Sequence, residues 1–252
     1  MNKQVLVVIP TLGERLEMLV NCLESVFSQN YPVKVVVIFP EKKSKTISGL
    51  KINYPEVTLE PRNLNMIESV NFVLQNYSYY KYFTWISDDD LLANDSLSRS
   101  IFELEKNSKI IGTFGAVEYI DLLGKKIGEW NPPSFAQKIN NFVPSAIKLE
   151  GTVFRMAVIK KVGLIPNQIK YCPDVYLILK SSKHGKFDKI QGLSVAKFRV
   201  HNDSPTAKNR IRSNLEAHKI QFFLGSIYDK TLIIFFGPFI FLLKILIFKI
   251  VA

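Results

Sequence analysis

The 252-residue chain is poor in cysteine: Cys22 and Cys172 are its only two. They lie 150 positions apart and form no metal-binding spacing. A disulfide framework would need more of them, so a reducing compartment is expected. Acid is also in the minority, 22 Asp plus Glu against 33 Lys plus Arg, a formal net charge of +11. That balance suits a polyanion, a phosphate-bearing substrate or an anionic membrane surface, and equally a solvated basic face. No signal peptide is expected from the N-terminal residues: the apolar run Val5 to Ile9 is too short, and no small-residue cleavage site follows. Glycine is sparse where a phosphate loop would need it. Thr11-Leu12-Gly13-Glu14-Arg15 contains one. Internal repeats and low-complexity segments are absent, and 47% hydrophobic with 22% charged residues indicates a globular chain with a proper core.

What is present alternates. Gln4 to Ile9 and Lys34 to Phe39 read as buried β-branched strands, and Arg15 to Gln29 carries apolar residues at helical spacing between them. This is a βαβ unit. A Lys-rich loop (41 to 51), a short strand near 57 to 59, a helix over 65 to 75 and a strand over 79 to 86 follow. The second half is more mixed: helices over 96 to 105, 157 to 162 and 174 to 182, strands over 109 to 119 and 193 to 200, and a loop-rich stretch over 125 to 144. The pattern predicts an α/β fold with a mostly parallel sheet flanked by helices, whose ligand site lies beyond the carboxyl ends of the strands.

At one such end stands Trp85-Ile86-Ser87-Asp88-Asp89-Asp90-Leu91-Leu92. Adjacent carboxylates repel, and a hard divalent cation held through oxygen relieves the repulsion. The competing reading is a polar turn, with Asp90 or Asn94 capping the helix near Ser96. The residues alone leave both open.

The ordered set of motifs resembles family 2 glycosyltransferases of the GT-A fold. It comprises a first strand ending in Pro10-Thr11, a helix ending in Ser25-x-x-x-Gln29, a second strand, the strand running into the aspartates, VFRMAVIKKVGLIP (153 to 166) and CPDVYLILKSSKHGK (172 to 186). The likeness spans roughly residues 4 to 203, and its specificity lies in the order and spacing rather than in any one motif.

The resemblance implies a GT-A (Rossmann-like) domain over 1–205, with a nucleotide-binding half (1–92) and an acceptor half (93–205). It implies an inverting hexosyl- or deoxyhexosyltransferase acting with Mg²⁺ or Mn²⁺ on a nucleotide sugar and a glycan or lipid-linked acceptor, in cell-surface polysaccharide synthesis; no nucleic-acid partner is expected. Donor contacts are implied for Pro10, Thr11, Glu14, Glu41, Asn71 and Asp88. Metal contacts are implied for Asp89, Asp90 and His201, and the base is Asp174, which also suits the N-terminus of the helix after it. Read as D-x-D the acidic pair is Asp88 and Asp90; read as D-x-D-D, Ser87 takes the first place and Asp89 is central.

The sequence departs from the family pattern in three places. Phe39-Pro40-Glu41 replaces an Asp-rich turn, Pro173 replaces the first acid of a Glu-Asp pair, and Asn71 lacks a neighbouring Arg that Arg62 could replace. Arg199 and Lys208 could steady phosphate or form a solvated face. Trp130 could stack on a sugar or sit in the core.

The last segment differs in kind. Residues 207 to 223 read as a basic amphipathic helix. Residues 231 to 252 are almost wholly apolar, interrupted by Gly237, Pro238, Lys244 and Lys249. A span needs about 20 apolar residues. The two lysines fall within about 140° of each other on a helix, which suits an interfacial helix as well as a span. From Thr206 on there are seven basic residues against two acids, favouring anionic lipid. The expectation is a membrane-associated tail over 206–252 at the cytoplasmic face of the inner membrane, with packing on the domain as the alternative. Two other functions stay open: a nucleotidyltransferase, and a non-catalytic scaffold of the same fold.

Overall fold

A computed structural model describes residues 4–201 and 208–251, with side chains through Phe239. The expected boundary at 205/206 and the side chains of Lys244 and Lys249 lie outside the described residues.

Strand β1 (Val5–Pro10) leads through α1 (Leu16–Phe27) to β2 (Val33–Phe39). The stretch 41 to 51, expected as a loop, is taken up by a 3-10 turn and two short helices, α2 (Ser44–Ser48) and α3 (Leu50–Asn53). Next come β3 (Thr58–Pro61), α4 (Met66–Asn76), β4 (Tyr82–Trp85), the two-residue β5 (Leu91–Leu92) and α5 (Ser96–Lys106). The single strand expected over 109 to 119 is two, β6 (Ile110–Phe114) and β7 (Val117–Ile120). Then follow β8 (Lys126–Trp130), α6 (Ala136–Ile139), β9 (Val153–Arg155), α7 (Met156–Val162), α8 (Pro173–Ser182), β10 (Lys186–Lys189) and β11 (Ala196–Arg199). Helices α9 (Arg210–Leu224) and α10 (Ile227–Val251) close the chain.

The main sheet has seven strands in the order β10-β6-β9-β4-β1-β2-β3. Every neighbour is parallel except β9, which runs antiparallel to β4 and β6. A smaller sheet, β5-β11-β7-β8, stands beside it. The unbroken apolar run of β1 follows from burial on both faces: Val5, Val7 and Ile9 pack with Leu19, Leu23 and Val26 of α1, and Leu6 and Val8 pack with Val70 and Val73 of α4. Each such side chain contributes about 1.5–3 kcal/mol through burial.

The chain goes from β1 outward to β2 and β3, then returns to place β4 on the other side of β1. The order therefore reverses between β1 and β4, and a crevice opens at their carboxyl ends. Thr11 and Asp88 are the residues there.

Helix α9, expected as a basic amphipathic helix, packs on the domain. Ser213, Ala217, Ile220 and Gln221 are buried, and Ala217 and Ile220 join the main core beside α8. The Gln221 side chain donates to Asn140 O at 2.8 Å. Among the described residues no helix is long and apolar enough to cross a membrane.

Candidate active site

The turn after β1 is built by three residues. Thr11 N–H donates to Ile38 O at 2.9 Å, pinning the turn to β2. The Thr11 hydroxyl accepts Gly13 N–H at 2.9 Å and donates to Asp88 Oδ2. Gly13 has φ of 66°, and a Cβ there would lie 2.8 Å from Ile47 Cδ1, so a side chain would be both strained and crowded.

The Ser25 and Gln29 pair fastens the far side. Ser25 Oγ accepts Leu92 N–H at 3.0 Å. Gln29 Nε2 donates to Ala93 O at 2.9 Å, while its Oε1 accepts Leu97 N–H at 3.1 Å and so caps α5 from the turn after α1. That function was expected of Asp90 or Asn94. Instead Asp95 occupies the N-cap in a left-handed conformation, with no side-chain capping bond. The aspartates thus sit in a bracket between β4 and α5, held by α1.

All three are buried: Asp88 is 5% exposed, Asp89 8% and Asp90 1%. Arg15 offsets their charge. Its Nη2 lies 2.7 Å from Asp88 Oδ1 and its Nη1 2.6 Å from Asp89 Oδ2. His201 Nε2 is 2.8 Å from the same Asp89 oxygen and 2.9 Å from Arg15 Nη1. One ring nitrogen cannot donate to Asp89 and accept from Arg15 at once, so the tautomer selects one partner.

Asp90 is turned to β11. Its Oδ1 accepts Arg199 N–H at 2.8 Å, while its Oδ2 is buried without a partner. Burial, then Asp89, push its carboxyl well above the ordinary range. Burial likewise raises Asp88, against the pull of Thr11 and Arg15.

Arg199 is neither a phosphate ligand nor a solvated residue. Its guanidinium is engaged with the carbonyls of Asp89, Asp121 and Leu122, each at 2.9 Å.

Asp174 stands in the first turn of α8, directly after Pro173. Burial raises its carboxyl; Val175 N–H and Lys148 act against that. Ser145 Oγ lies 3.4 Å from its Oδ2. The loop leading into α8 is held from α9: the Glu216 carboxylate accepts the N–H groups of Lys170, Tyr171 and Cys172 at 2.7 to 3.0 Å. A carboxylate is favoured at a helix N-terminus, where backbone donors are unpaired.

The structure brings together Thr11, Asp88, Asp89 and His201, with Pro10 closing β1 beside them. Three further residues were expected to contact the donor: Glu14, Glu41 and Asn71. Glu14 and Glu41 are exposed. Asn71 is buried, and both atoms of its amide are engaged with the backbone of Ile165, at 2.8 and 2.9 Å. Arg62 lies over the Phe72 ring at 4.6 Å. Trp130 ends β8 and donates its indole N–H to Ala146 O at 3.0 Å.

Sequence reasoning missed four residues. Arg15 was read only as a helix start, although a base four residues past the Pro-Thr turn must land near that strand end. Glu216 gave no local signal, since its partners are more than forty positions away. Glu150 and Lys148 are lone charges in an apolar stretch, AIKLEGTVF, and that contrast was the available clue.

Among the described residues no set of three or more His, Cys, Asp or Glu side chains is arranged to hold a metal ion. The donor chemistry nevertheless fits a hard divalent cation. Two carboxylate oxygens and an imidazole nitrogen converge on one positive group, the Arg15 guanidinium, and a further buried carboxylate oxygen beside them is unpartnered.

Comparison with solved structures agrees on the fold. S. aureus TarS (residues 1–349, in complex with UDP-GlcNAc) superposes with a TM-score of 0.64 at 12% identity, over 86% of this chain and 65% of that one. The same protein in complex with UDP gives 0.62. The mannosyltransferase PcManGT from Pyrobaculum calidifontis, in complex with GDP-Man and Mn²⁺, gives 0.61 at 16% identity, over 87% of this chain and 63% of that one. The chain thus spans less than two thirds of the length of these structures. A search of the curated proteins gives no match. The glycosyl transferase family 2 profile matches residues 6–162, well over half of the sequence. With a mostly parallel sheet of GT-A type and its acidic cluster at the switch point, the chain belongs to glycosyl transferase family 2.

Proposed function

We propose that the protein transfers a sugar, with inversion, from a nucleoside-diphosphate sugar to a hydroxyl of a lipid-linked glycan during surface polysaccharide assembly. The observation that carries this reading is the pairing of two carboxylate centres: Asp88 and Asp89 at the β1–β4 crevice, and Asp174 at the head of α8. Glu150 is electrostatically coupled to both Asp89 and Asp174.

The donor diphosphate would lie over the end of β1, with Asp88 and Asp89 below it. Asp89, Asp88 and His201 would hold a divalent cation once Arg15 swings aside, leaving the guanidinium free to face phosphate. Such an ion offsets the charge that grows on the departing diphosphate. Asp174 takes the proton from the acceptor hydroxyl. The hydroxyl oxygen bonds to the anomeric carbon as the carbon–diphosphate bond breaks. The raised carboxyl of Asp174 suits it to this work, since a base near the working pH transfers protons efficiently. Neighbours that bind UDP, UDP-GlcNAc or GDP-Man support a nucleotide-sugar donor.

Attachment to the cytoplasmic face of the membrane is part of the same proposal. Ile234, Phe235, Phe236 and Phe239 are exposed on α10, with Ile227 and Tyr228 at its start and Phe223 just before it. Basic residues beside an apolar helix favour an anionic lipid surface.

The test is a panel of nucleotide sugars with Mn²⁺ or Mg²⁺ and a polyprenyl-diphosphate sugar acceptor. Acceptor-dependent release of nucleoside diphosphate, absent in Asp174→Asn, is expected. Consumption of a nucleoside triphosphate with release of diphosphate, and no sugar transfer, would establish a nucleotidyltransferase instead.

A further inference from the structure

Glu150 lies in the turn before β9, and β9 runs antiparallel to β4 with Tyr82 opposite Arg155 and Phe83 opposite Phe154. Thr84 Oγ1 donates to Thr152 O at 2.9 Å, so the strands stay close past the last ladder pair. Because the strands are antiparallel, the turn that holds Glu150 lies toward the carboxyl end of β4, the end from which the aspartates follow. Gly151 keeps it there. With φ of 73° and a Cβ position only 2.8 Å from Val195 O, this turn has no room for a side chain, and the backbone presses against the segment leading into β11.

Within this setting Glu150 Oε2 is buried and has no hydrogen-bond partner. Buried polar atoms are nearly always partnered, and an orphan at a binding crevice calls for a donor that the chain does not supply. The surroundings define that donor. Burial raises the Glu150 carboxyl above the ordinary range and Lys148 acts against that, whereas Asp174 and Asp89 raise it further; Asp90 feels it too. Lys148 Nζ lies 6.0 Å from the Tyr119 ring centroid, which steadies the ammonium beside the carboxylate. Glu150 therefore stands within electrostatic reach of both Asp89 at the crevice and the base Asp174. In a displacement at the anomeric carbon, the group between leaving diphosphate and attacking hydroxyl is the sugar itself.

We propose that Glu150 is a specificity-determining residue: its carboxylate accepts hydrogen bonds from ring hydroxyls of the hexosyl group being transferred. An ionised carboxylate offers only acceptors, and sugar hydroxyls are donors. A site built to bond a substrate hydroxyl rejects an analogue that lacks it far more strongly than an apolar pocket could. The selected donor is thus a hexose with a free hydroxyl on the face turned to β9, rather than a sugar deoxygenated there. This inference rests on the glycosyl-transfer reading above.

The experiment is titration calorimetry with Mn²⁺ on wild type, Glu150→Gln and Glu150→Ala. A panel of UDP-, GDP-, dTDP- and CMP-sugars identifies the wild-type donor, and each protein then receives that donor and its sugar-free nucleotide. Expected is unchanged affinity for the bare nucleotide, with sugar-nucleotide affinity lower by roughly 10- to 100-fold in Glu150→Ala, the cost of losing a hydrogen bond to a charged group. Deoxy analogues should bind wild type weakly and Glu150→Ala no worse than the parent sugar. Equal binding of the sugar nucleotide by wild type and both variants overturns the proposal, as does a parallel loss of nucleotide and sugar nucleotide. Wild type that binds no nucleotide sugar overturns the transfer reading and this inference with it. Should Glu150→Ala fail to fold, the isosteric Glu150→Gln decides, because it retains the volume.

Discussion

Arg15 Nη1 stands 2.6 Å from Asp89 Oδ2, and the same guanidinium reaches Asp88 Oδ1 at 2.7 Å. A single cation thereby holds apart two carboxylates that would repel each other. The guanidinium occupies the point on which the groups expected to bind a divalent ion converge.

Arg15→Ala is therefore expected to lose about 1 kcal/mol of stability in metal-free buffer, a small figure because Arg15 is partly exposed. Mn²⁺ should restore it, raising the melting temperature of the variant more than that of wild type. Equal Mn²⁺ shifts in both proteins would sink this exchange.

Asp89→Asn removes the carboxylate central to the acidic cluster. Transfer should fall by about 100-fold or more, with the fold retained, since a lost charge at a developing diphosphate is costly. Full activity in the variant, measured as nucleotide release, would falsify its assignment.

Asp174→Asn should lower kcat by about 10²- to 10⁴-fold with little change in donor KM. In wild type the base must be ionised. Burial raises Asp174, so kcat should fall as pH drops through a value above the ordinary carboxylate range of about 4. An acid limb at or below that range would argue against Asp174 as the titrating group.

Glu216→Ala leaves the backbone N–H groups of Lys170, Tyr171 and Cys172 without their acceptor. A loss of about 1–3 kcal/mol in chemical denaturation is expected. The effect on kcat should exceed that on nucleotide affinity, because the freed loop carries Asp174 and not the aspartates. Unchanged stability would show the contact to be dispensable.

The tail is tested with Phe235→Ser, Phe236→Ser and Phe239→Ser combined. Sedimentation with vesicles of phosphatidylglycerol is expected for wild type and lost in the triple variant, and 1 M salt should weaken the wild-type interaction. Wild type that stays in the supernatant with such vesicles ends the membrane proposal.

The first half of the fold was legible because its signals are local. Val5 to Ile9 and Val35 to Phe39 are buried on both faces, so they read as unbroken apolar runs, and α1 and α4 show their stripes at helical spacing. The strands that escaped notice are short or weakly patterned: β9 has three residues, β10 reads Lys-Phe-Asp-Lys, β5 has two, and β8, in the stretch expected to be loop-rich, is largely exposed. Such strands are defined by their neighbours in the sheet rather than by their own composition.

The site divides along the same line. The sequence by itself determined the aspartates at a strand's end, the Pro-Thr turn and Asp174 after a proline, because each is chemistry within a few residues. Only the tertiary structure decided that Arg15 answers Asp88 and Asp89, that Gln29 caps α5, that Glu216 steadies the loop before α8, and that Glu150 feels both Asp89 and Asp174. In each case the two partners lie far apart in the chain. Charge and hydrogen bonding act over a few ångströms of space, and no pattern along the sequence records which distant residues the fold will bring that close.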